Sequence, residues 1–310
     1  MTQDAISSEA IVELRNRFRG VLLGLAVGDA LGGPLEFQPA REPANYLRDM
    51  TGGGWQQLEP GEWTDDTQMT LCTVESLLAK RVFDPDDIAS RFVDWMETKP
   101  KDIGTHTAKI LHAIQKGNHW EAATKEAYLA DPENAPNGSL MRSAPLALFF
   151  YRQPDFVATL SPVLSRITHA HPDCEFASVF LNVAIASLLL GDRTQKAIDT
   201  AYNAISESSK ELRARIDSAT RPDCKTLPTG WVLDTLEVAL WAFLHTRSYE
   251  EAVVTVVNLG SDSDTVGAIL GALAGACYGY SAIPERWLAP LKEHDKLLAY
   301  ADELFDLANE

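Results

Sequence analysis

An all-α, single-domain fold is what this sequence predicts, and three features predict it. Apolar residues recur at helical spacing through most of the 310 residues. The breaks between those stretches are short and carry Gly, Pro or Asn. No series of alternating strand patterns is present, and the β-branched run at 253–257 lies inside a helix-length pattern. A hydrophobic content of 45% with 23% charged residues suits one ordered, soluble domain with a large core.

Taken in order, residues 1–8 are expected to be flexible, and 9–19 read as a short amphipathic helix. It runs into GVLLGLAVGDALGG at 20–33, where Gly20, Gly24 and Gly28 recur every four residues. Each glycine costs about 1 kcal/mol relative to Ala in a helix interior, so three in register point to a bare face packed closely on another helix. No strand precedes the segment, so it is not a dinucleotide fingerprint. Asp29 follows on this helix, and Glu36 falls in the loop between Leu35 and Phe37. Residues 39–62 read as loop, with Gly52, Gly53, Gly54 and Pro60-Gly61 marking turns.

A helix is predicted from near Thr64 to about Arg81, another from Asp84-Pro85, and a third capped by Thr105. A loop at 131–138 leads into a helix over 139–150, in which Pro145 implies a kink or a break. Pro162 is read as opening a helix that ends at 168–172, followed by a buried helix from about Cys174. Residues 195–209 are helical in pattern. Residues 210–228 are charged, hold two prolines, and are expected to be exposed or loosely packed; they are the best internal boundary, though too short to divide the chain. Helices follow at 231–243 and 249–257. The uncharged stretch at 266–284 has nearly the length of a membrane span, but Gly and Ala dominate it and Asp262 and Asp264 precede it, so it reads as a central buried helix. Segments at 284–290 and 295–308 read as an outer layer.

The net charge of -17 repels nucleic acid and anionic membrane at long range. It permits a small anionic ligand held by backbone N–H groups or by metal ions. The four cysteines, Cys72, Cys174, Cys224 and Cys277, form no C-x-x-C pair. Cys72 and Cys277 sit in apolar patterns, and the set suits a reducing, cytoplasmic setting. The first residues are polar and acidic, unlike a signal peptide.

Two acidic stretches carry the chemistry. WTDDTQMT at 63–70 and GSDSDTV at 260–266 each open a helix. As plain helix caps they would sit on unrelated surface helices. Brought together, Asp65, Asp66, Asp262 and Asp264 would raise one another's pKa and could not all ionise without cations. Two Mg²⁺ or Mn²⁺ ions would neutralise them, with Thr64 and Thr265 adding neutral oxygens.

Several ordered motifs together resemble the ADP-ribosylglycohydrolase family, which includes dinitrogenase-reductase-activating glycohydrolases and ADP-ribosylarginine hydrolases. They run from GLAVGDALGGPLEF at 24–37 through WTDDT at 63–67, DIG at 102–104, NGSLMR at 137–142, ITH at 167–169 and LGSDSDTV at 259–266 to GALAGACYG at 271–279. The resemblance implies an all-α fold with a binuclear metal site, and removal of ADP-ribose from an ADP-ribosylated protein. It implies Thr64, Asp65, Asp66, Asp262, Asp264 and Thr265 as ligands, with Asp264 bridging the ions. Glu36 matches an acidic position that is a ligand or a catalytic carboxylate, and Asp102 one that sits by the attacking water; which of the two activates that water stays open. Asn137, Gly138 and Ser139 match a loop that embraces the diphosphate through backbone N–H groups. Pro136 stands where relatives often have Gly, and SDSDT where GDTDT is commoner. His169 matches a histidine near the site but equally suits a neutral core histidine, and Trp231 suits either a ribose or adenine contact or core packing. Besides arginine, the acceptor classes left open are serine, a nucleic-acid base and O-acetyl-ADP-ribose. A non-catalytic ADP-ribose-binding module or a structural relative with a relict pocket would lack a reason for acids at Glu36 and Asp102.

Overall fold

The computed structural model describes residues 8–223 and 225–310. The expected flexibility of 1–8 therefore falls outside the described residues except at Ser8, which opens the first helix, and Cys224 also lies outside them. Fifteen α-helices are present among the described residues: α1 (Ser8–Gly32), α2 (Asp65–Lys80), α3 (Pro85–Glu97), α4 (Thr105–Gln115), α5 (Trp120–Ala130), α6 (Ala144–Phe150), α7 (Pro154–Arg166), α8 (Pro172–Leu189), α9 (Thr194–Ala204), α10 (Lys210–Ala219), α11 (Val232–His245), α12 (Tyr249–Val257), α13 (Ser263–Tyr278), α14 (Glu285–Leu288) and α15 (His294–Ala308). The only β pairings among them are two isolated bridges, Gly53 with Leu58 and Pro136 with Trp231.

The centre of the fold is the antiparallel pair α1 and α13. Their glycines meet in register, Gly20 against Gly275, Gly24 against Gly271 and Gly28 against Gly267. A methyl group added at Gly28 would lie 1.9 Å from the Gly267 carbonyl oxygen, so only hydrogen at this position permits the approach. Beyond Gly28, Gly32 abuts Ser263, whose hydroxyl donates to the Gly32 carbonyl at 2.9 Å. The C-terminal end of α1 and the N-terminal end of α13 are thereby held side by side. That contact positions the site.

The other helices wrap this pair. α12 and α11 pack on α13, α15 on α1, α8 on α7 and α9, and α2 and α6 close the remaining side. α1 and α8 are long and apolar enough to cross a membrane, yet 89% and 83% of their apolar windows are buried inside the protein.

Four expectations are corrected. Pro145 does not kink a helix over 139–150; residues 137–139 form a separate 3₁₀ turn, and Pro145 sits in the first turn of α6, where its missing N–H costs nothing. Pro162 lies inside α7, which begins eight residues earlier at Pro154. Residues 210–219 are not loosely packed: α10 buries Leu212, Ile216 and Ala219 against α11. Cys277 is only half-buried, whereas Cys72 and Cys174 are buried.

Candidate active site

Both acidic helix starts lie at the junction of α1 and α13, and neither is a capping motif. Thr64 occupies the N-cap position of α2 but makes no side-chain cap bond. The cap comes from α1: Asp29 Oδ2 accepts the amide of Thr67 at 3.0 Å and its hydroxyl at 2.5 Å, while the Thr64 amide donates to Oδ1 at 2.9 Å. Asp262, at the N-cap of α13, likewise makes no side-chain cap bond. With α2 capped by Asp29 and no cap bond made by Asp262, the carboxylates of Asp65, Asp66 and Asp262 are not used as helix caps.

Asp65, Asp66 and Asp264 are buried and Asp262 is half-buried, and each is held above the usual carboxylate range, first by desolvation. For Asp65 the next causes are the charges of Asp102, Asp29, Glu36 and Asp262, so the acids of both helix starts and both loops act on one another. The Thr64 hydroxyl stands 2.9 Å from Asp29 Oδ1 and 3.2 Å from Asp66 Oδ2 and has one proton for the two. Asp66 Oδ1 is buried with no hydrogen-bond partner. An orphaned carboxylate oxygen among crowded, desolvated acids is the local chemistry a hard cation satisfies. Among the described residues no three His, Cys, Asp or Glu side chains stand as a ready-made ligand group, so the threonine oxygens or water would have to complete any coordination.

One wall of the cleft carries Glu36 and Asp102, which a glycine-rich turn outside the lining holds in place. After Gly52, Gly53 and Gly54, all at positive φ, Trp55 donates its indole N–H to Glu36 Oε2 at 2.6 Å. Gln56 Nε2 donates to the same oxygen at 3.1 Å and to Asp102 Oδ2 at 3.3 Å, which ties the two predicted catalytic acids together. Burial raises Glu36 to about 7, against the Trp55 bond and with the help of the Asp102 and Asp262 charges. Burial also raises Asp102, whose Oδ1 accepts the Ile103 amide at 2.7 Å.

The opposite wall is the 3₁₀ turn Asn137–Ser139. The Asn137 side chain donates to Asp262 Oδ2 at 2.8 Å and to Thr235 Oγ1 at 3.0 Å, and its amide is taken by the Gly230 carbonyl at 3.0 Å. Asn137 thus supports the acidic cluster, and Gly138 beside it lines the cleft. Gly138 sits against His169: a methyl group there would lie 3.1 Å from the imidazole. His169 is buried, bonded to the Thr168 hydroxyl at 2.6 Å, tilted at 49° against His106 with centroids 4.7 Å apart, and held neutral by burial. The Ser139 hydroxyl is buried and accepts from Ser165 at 2.8 Å, away from the cleft. The Trp231 ring carries Arg215 at 5.1 Å and does not line the cleft.

Together these walls enclose about 560 Å³, lined by Glu36, Asp65, Asp102, Asn137, Gly138, His169, Asp262, Asp264 and Thr265 among others. That is room for a nucleotide-sized ligand. Thr64 and Asp66 lie behind this surface.

Three supporting groups escape a reading of the sequence. Asp29 and Gln56 are two, since nothing local shows what they reach. The third is Arg142, fully buried on the Phe92 ring, donating to the Gly138 carbonyl and, at 2.6 Å, to the Thr168 hydroxyl. Burial pulls it down to about 9, so it remains charged at neutral pH beneath the 137–139 turn. An arginine inside the otherwise apolar 140–150 run was the available signal.

A model of the ADP-ribosylglycohydrolase family matches residues 11–310. The chain is 33% identical over 306 residues to the ADP-ribosylarginine hydrolase Tri1 of Serratia proteamaculans, covering 96% of this chain and 81% of that protein. It is 34% identical over 300 residues to the ADP-ribosyl-(dinitrogen reductase) glycohydrolase of Rhodospirillum rubrum, covering 95% and 97%. A solved structure described as an ADP-ribosylglycohydrolase-related protein complex superposes with a TM-score of 0.83 at 37% identity, covering 96% of this chain and 99% of that one.

Proposed function

The chain belongs to the ADP-ribosylglycohydrolase family, and on that premise we propose that its acidic cleft is a metal-dependent hydrolase site that releases ADP-ribose from ADP-ribosylated arginine of a protein. The observation that carries the reading is the convergence of Asp65, Asp66, Asp262 and Asp264 beside Glu36 and Asp102, with α2 capped by Asp29 and no cap bond made by Asp262. The arginine acceptor is favoured by the Serratia relative, an ADP-ribosylarginine hydrolase.

Asp65, Asp66, Asp262 and Asp264, with Thr64 and Thr265, would hold two Mg²⁺ or Mn²⁺ ions, and the orphaned Asp66 Oδ1 fits that role. When bound, such ions supply charge stabilisation and a fixed template for the hydroxyls of the distal ribose. The amides of Gly138 and Ser139 meet the diphosphate, with the buried Arg142 charge beneath them. Asp102 holds the water that adds to C1″ of the distal ribose. The bond from C1″ to the guanidine nitrogen breaks with its electron pair passing to nitrogen, and the carboxylates oppose the positive charge developing on the ring. The proton leaves water for the linked pair Asp102 and Glu36, and the departing guanidine takes one up. Glu36, near 7 without cations, is matched to that transfer.

Incubation with arginine-, serine- and nucleotide-linked ADP-ribose, each with Mg²⁺, Mn²⁺ or chelator, tests the reading. Release from arginine only, and only with metal, is expected. Release from serine or a nucleotide in place of arginine would overturn the acceptor, and no release from any of them would leave a binding module.

A further inference from the structure

Two large aromatic rings stand in solvent beside Glu36: Phe37 lines the cleft, and Trp55 reaches the Glu36 carboxylate from outside the lining. Phe37 is 70% exposed and Trp55 48% exposed, with centroids 5.7 Å apart and planes at 38°. Apolar burial does not hold them there. Phe37 has φ 60°, the left-handed region that penalises a side chain, and is fixed by its amide donating to the Ser261 carbonyl at 2.7 Å. Trp55 is fixed by its indole bond to Glu36. Strained backbone and exposed ring area both oppose folding, so the arrangement is explained by something the rings meet.

The charges beside the rings name its chemistry. Among the described residues, the hydrogen bonds accepted by Glu36 and Asp102 come from neutral groups: the Trp55 indole, the Gln56 amide and the Ile103 backbone. Negative charge without a cation partner, beside two exposed aromatic rings, fits a flat cation. A guanidinium stacks on a ring while presenting its N–H edges to carboxylates. A neutral serine hydroxyl gains neither contact.

We propose that Phe37 and Trp55 form the acceptor subsite, stacking the guanidinium of the modified arginine over Glu36 and Asp102 and so selecting arginine over neutral acceptors. The proposal rests on the arginine reading above. Phe37 acts on the leaving side chain, and the ADP-ribose half of the substrate is held elsewhere in the cleft.

The test uses the full chain, an ADP-ribosylated arginine peptide, and calorimetric binding of free ADP-ribose with Mg²⁺ present. Phe37→Gly is expected to raise KM for the peptide about tenfold, with kcat changed less than about threefold, as loss of one cation–π contact predicts. ADP-ribose affinity stays within about twofold, Phe37→Tyr restores KM, and the melting temperature of Phe37→Gly equals or exceeds that of the parent because glycine accepts this φ. Trp55→Phe keeps a ring but loses the Glu36 bond, and lowers kcat more than it raises KM. An unchanged KM in Phe37→Gly, with the parent active on arginine, overturns the subsite alone. An equal loss of ADP-ribose affinity assigns the rings to the ADP-ribose half and overturns it too. A parent inactive on arginine but active on serine or nucleotide linkages overturns the acceptor reading and this subsite together.

Discussion

Asp29 of α1 caps α2 through Thr67, its Oδ2 accepting both the Thr67 amide at 3.0 Å and the Thr67 hydroxyl at 2.5 Å. An acid distant in sequence does what an N-cap side chain ordinarily does, and it ties the floor of the cleft to the central helix pair. Asp29→Asn would turn an amide N–H toward groups that already donate. It should destabilise the protein by about 1–3 kcal/mol, the cost of buried hydrogen-bonding groups left unpaired. Urea unfolding measures this, and the stabilisation conferred by Mn²⁺ should shrink as Asp65 and Asp66 lose their fixed start. Wild-type stability and wild-type Mn²⁺ response in the variant would refute the positioning role.

Gly28 and Gly20 make the same kind of contact at opposite ends of the glycine face of α1, against Gly267 and Gly275. Gly20→Ala and Gly28→Ala should each destabilise, because forcing the helices apart costs about 1–3 kcal/mol and outweighs the gain in helix propensity. Only Gly28→Ala lies near the acidic helix starts. At a temperature where both variants are folded, it should lose turnover and the Gly20 variant should keep it. Equal activity in the two would mean that this contact does not align the site.

Asp264→Ala should abolish hydrolysis and weaken divalent-cation binding strongly, with helical circular dichroism unchanged. Asp102→Asn should lower kcat more than it lowers cation affinity, since Asp102 is bonded to Gln56 and Ile103 at the cleft wall. Isothermal titration with Mn²⁺ beside single-turnover assays separates the two. If Asp102→Asn lost the metal with no further catalytic defect, it would be a ligand.

Burial holds Asp29 up at about 6 and Glu36 at about 7, and raises Asp65, Asp66 and Asp264 well above the usual carboxylate range. A carboxyl raised in the folded state binds more protons there than in the unfolded chain. Its contribution to stability is therefore full at low pH and lost as pH rises through the folded value. In chelator, the melting temperature should fall between pH 5 and pH 8. Mg²⁺ or Mn²⁺ should reverse most of the loss at pH 8, since cations bind the ionised form. A melting temperature that rises with pH in chelator would contradict the crowding of acids seen at the two helix starts.

Local pattern was enough for much of this protein. The Gly20, Gly24 and Gly28 face, the helix starts at Thr64 and Asp262, and the helix at 249–257 are all local features, because periodicity and terminal residues act within a few turns. Proline is less legible from local pattern. Pro145 begins a helix and Pro162 sits within one, and neighbours in space decide between those uses. The charged run at 210–228 hid Leu212, Ile216 and Ala219, three positions on one face that suffice once α11 covers them.

The sequence by itself determined that two pairs of aspartates would stand at two helix starts, and that one helix would expose a face of glycines. Only the tertiary structure decided that this face meets Gly267, Gly271 and Gly275, that Asp29 reaches Thr67, and that Gln56 joins Glu36 to Asp102. The reason is range. Helix periodicity and end signals are set by neighbours along the chain, whereas the gathering of like charges into one cleft is enforced by a backbone contact between helices more than two hundred residues apart.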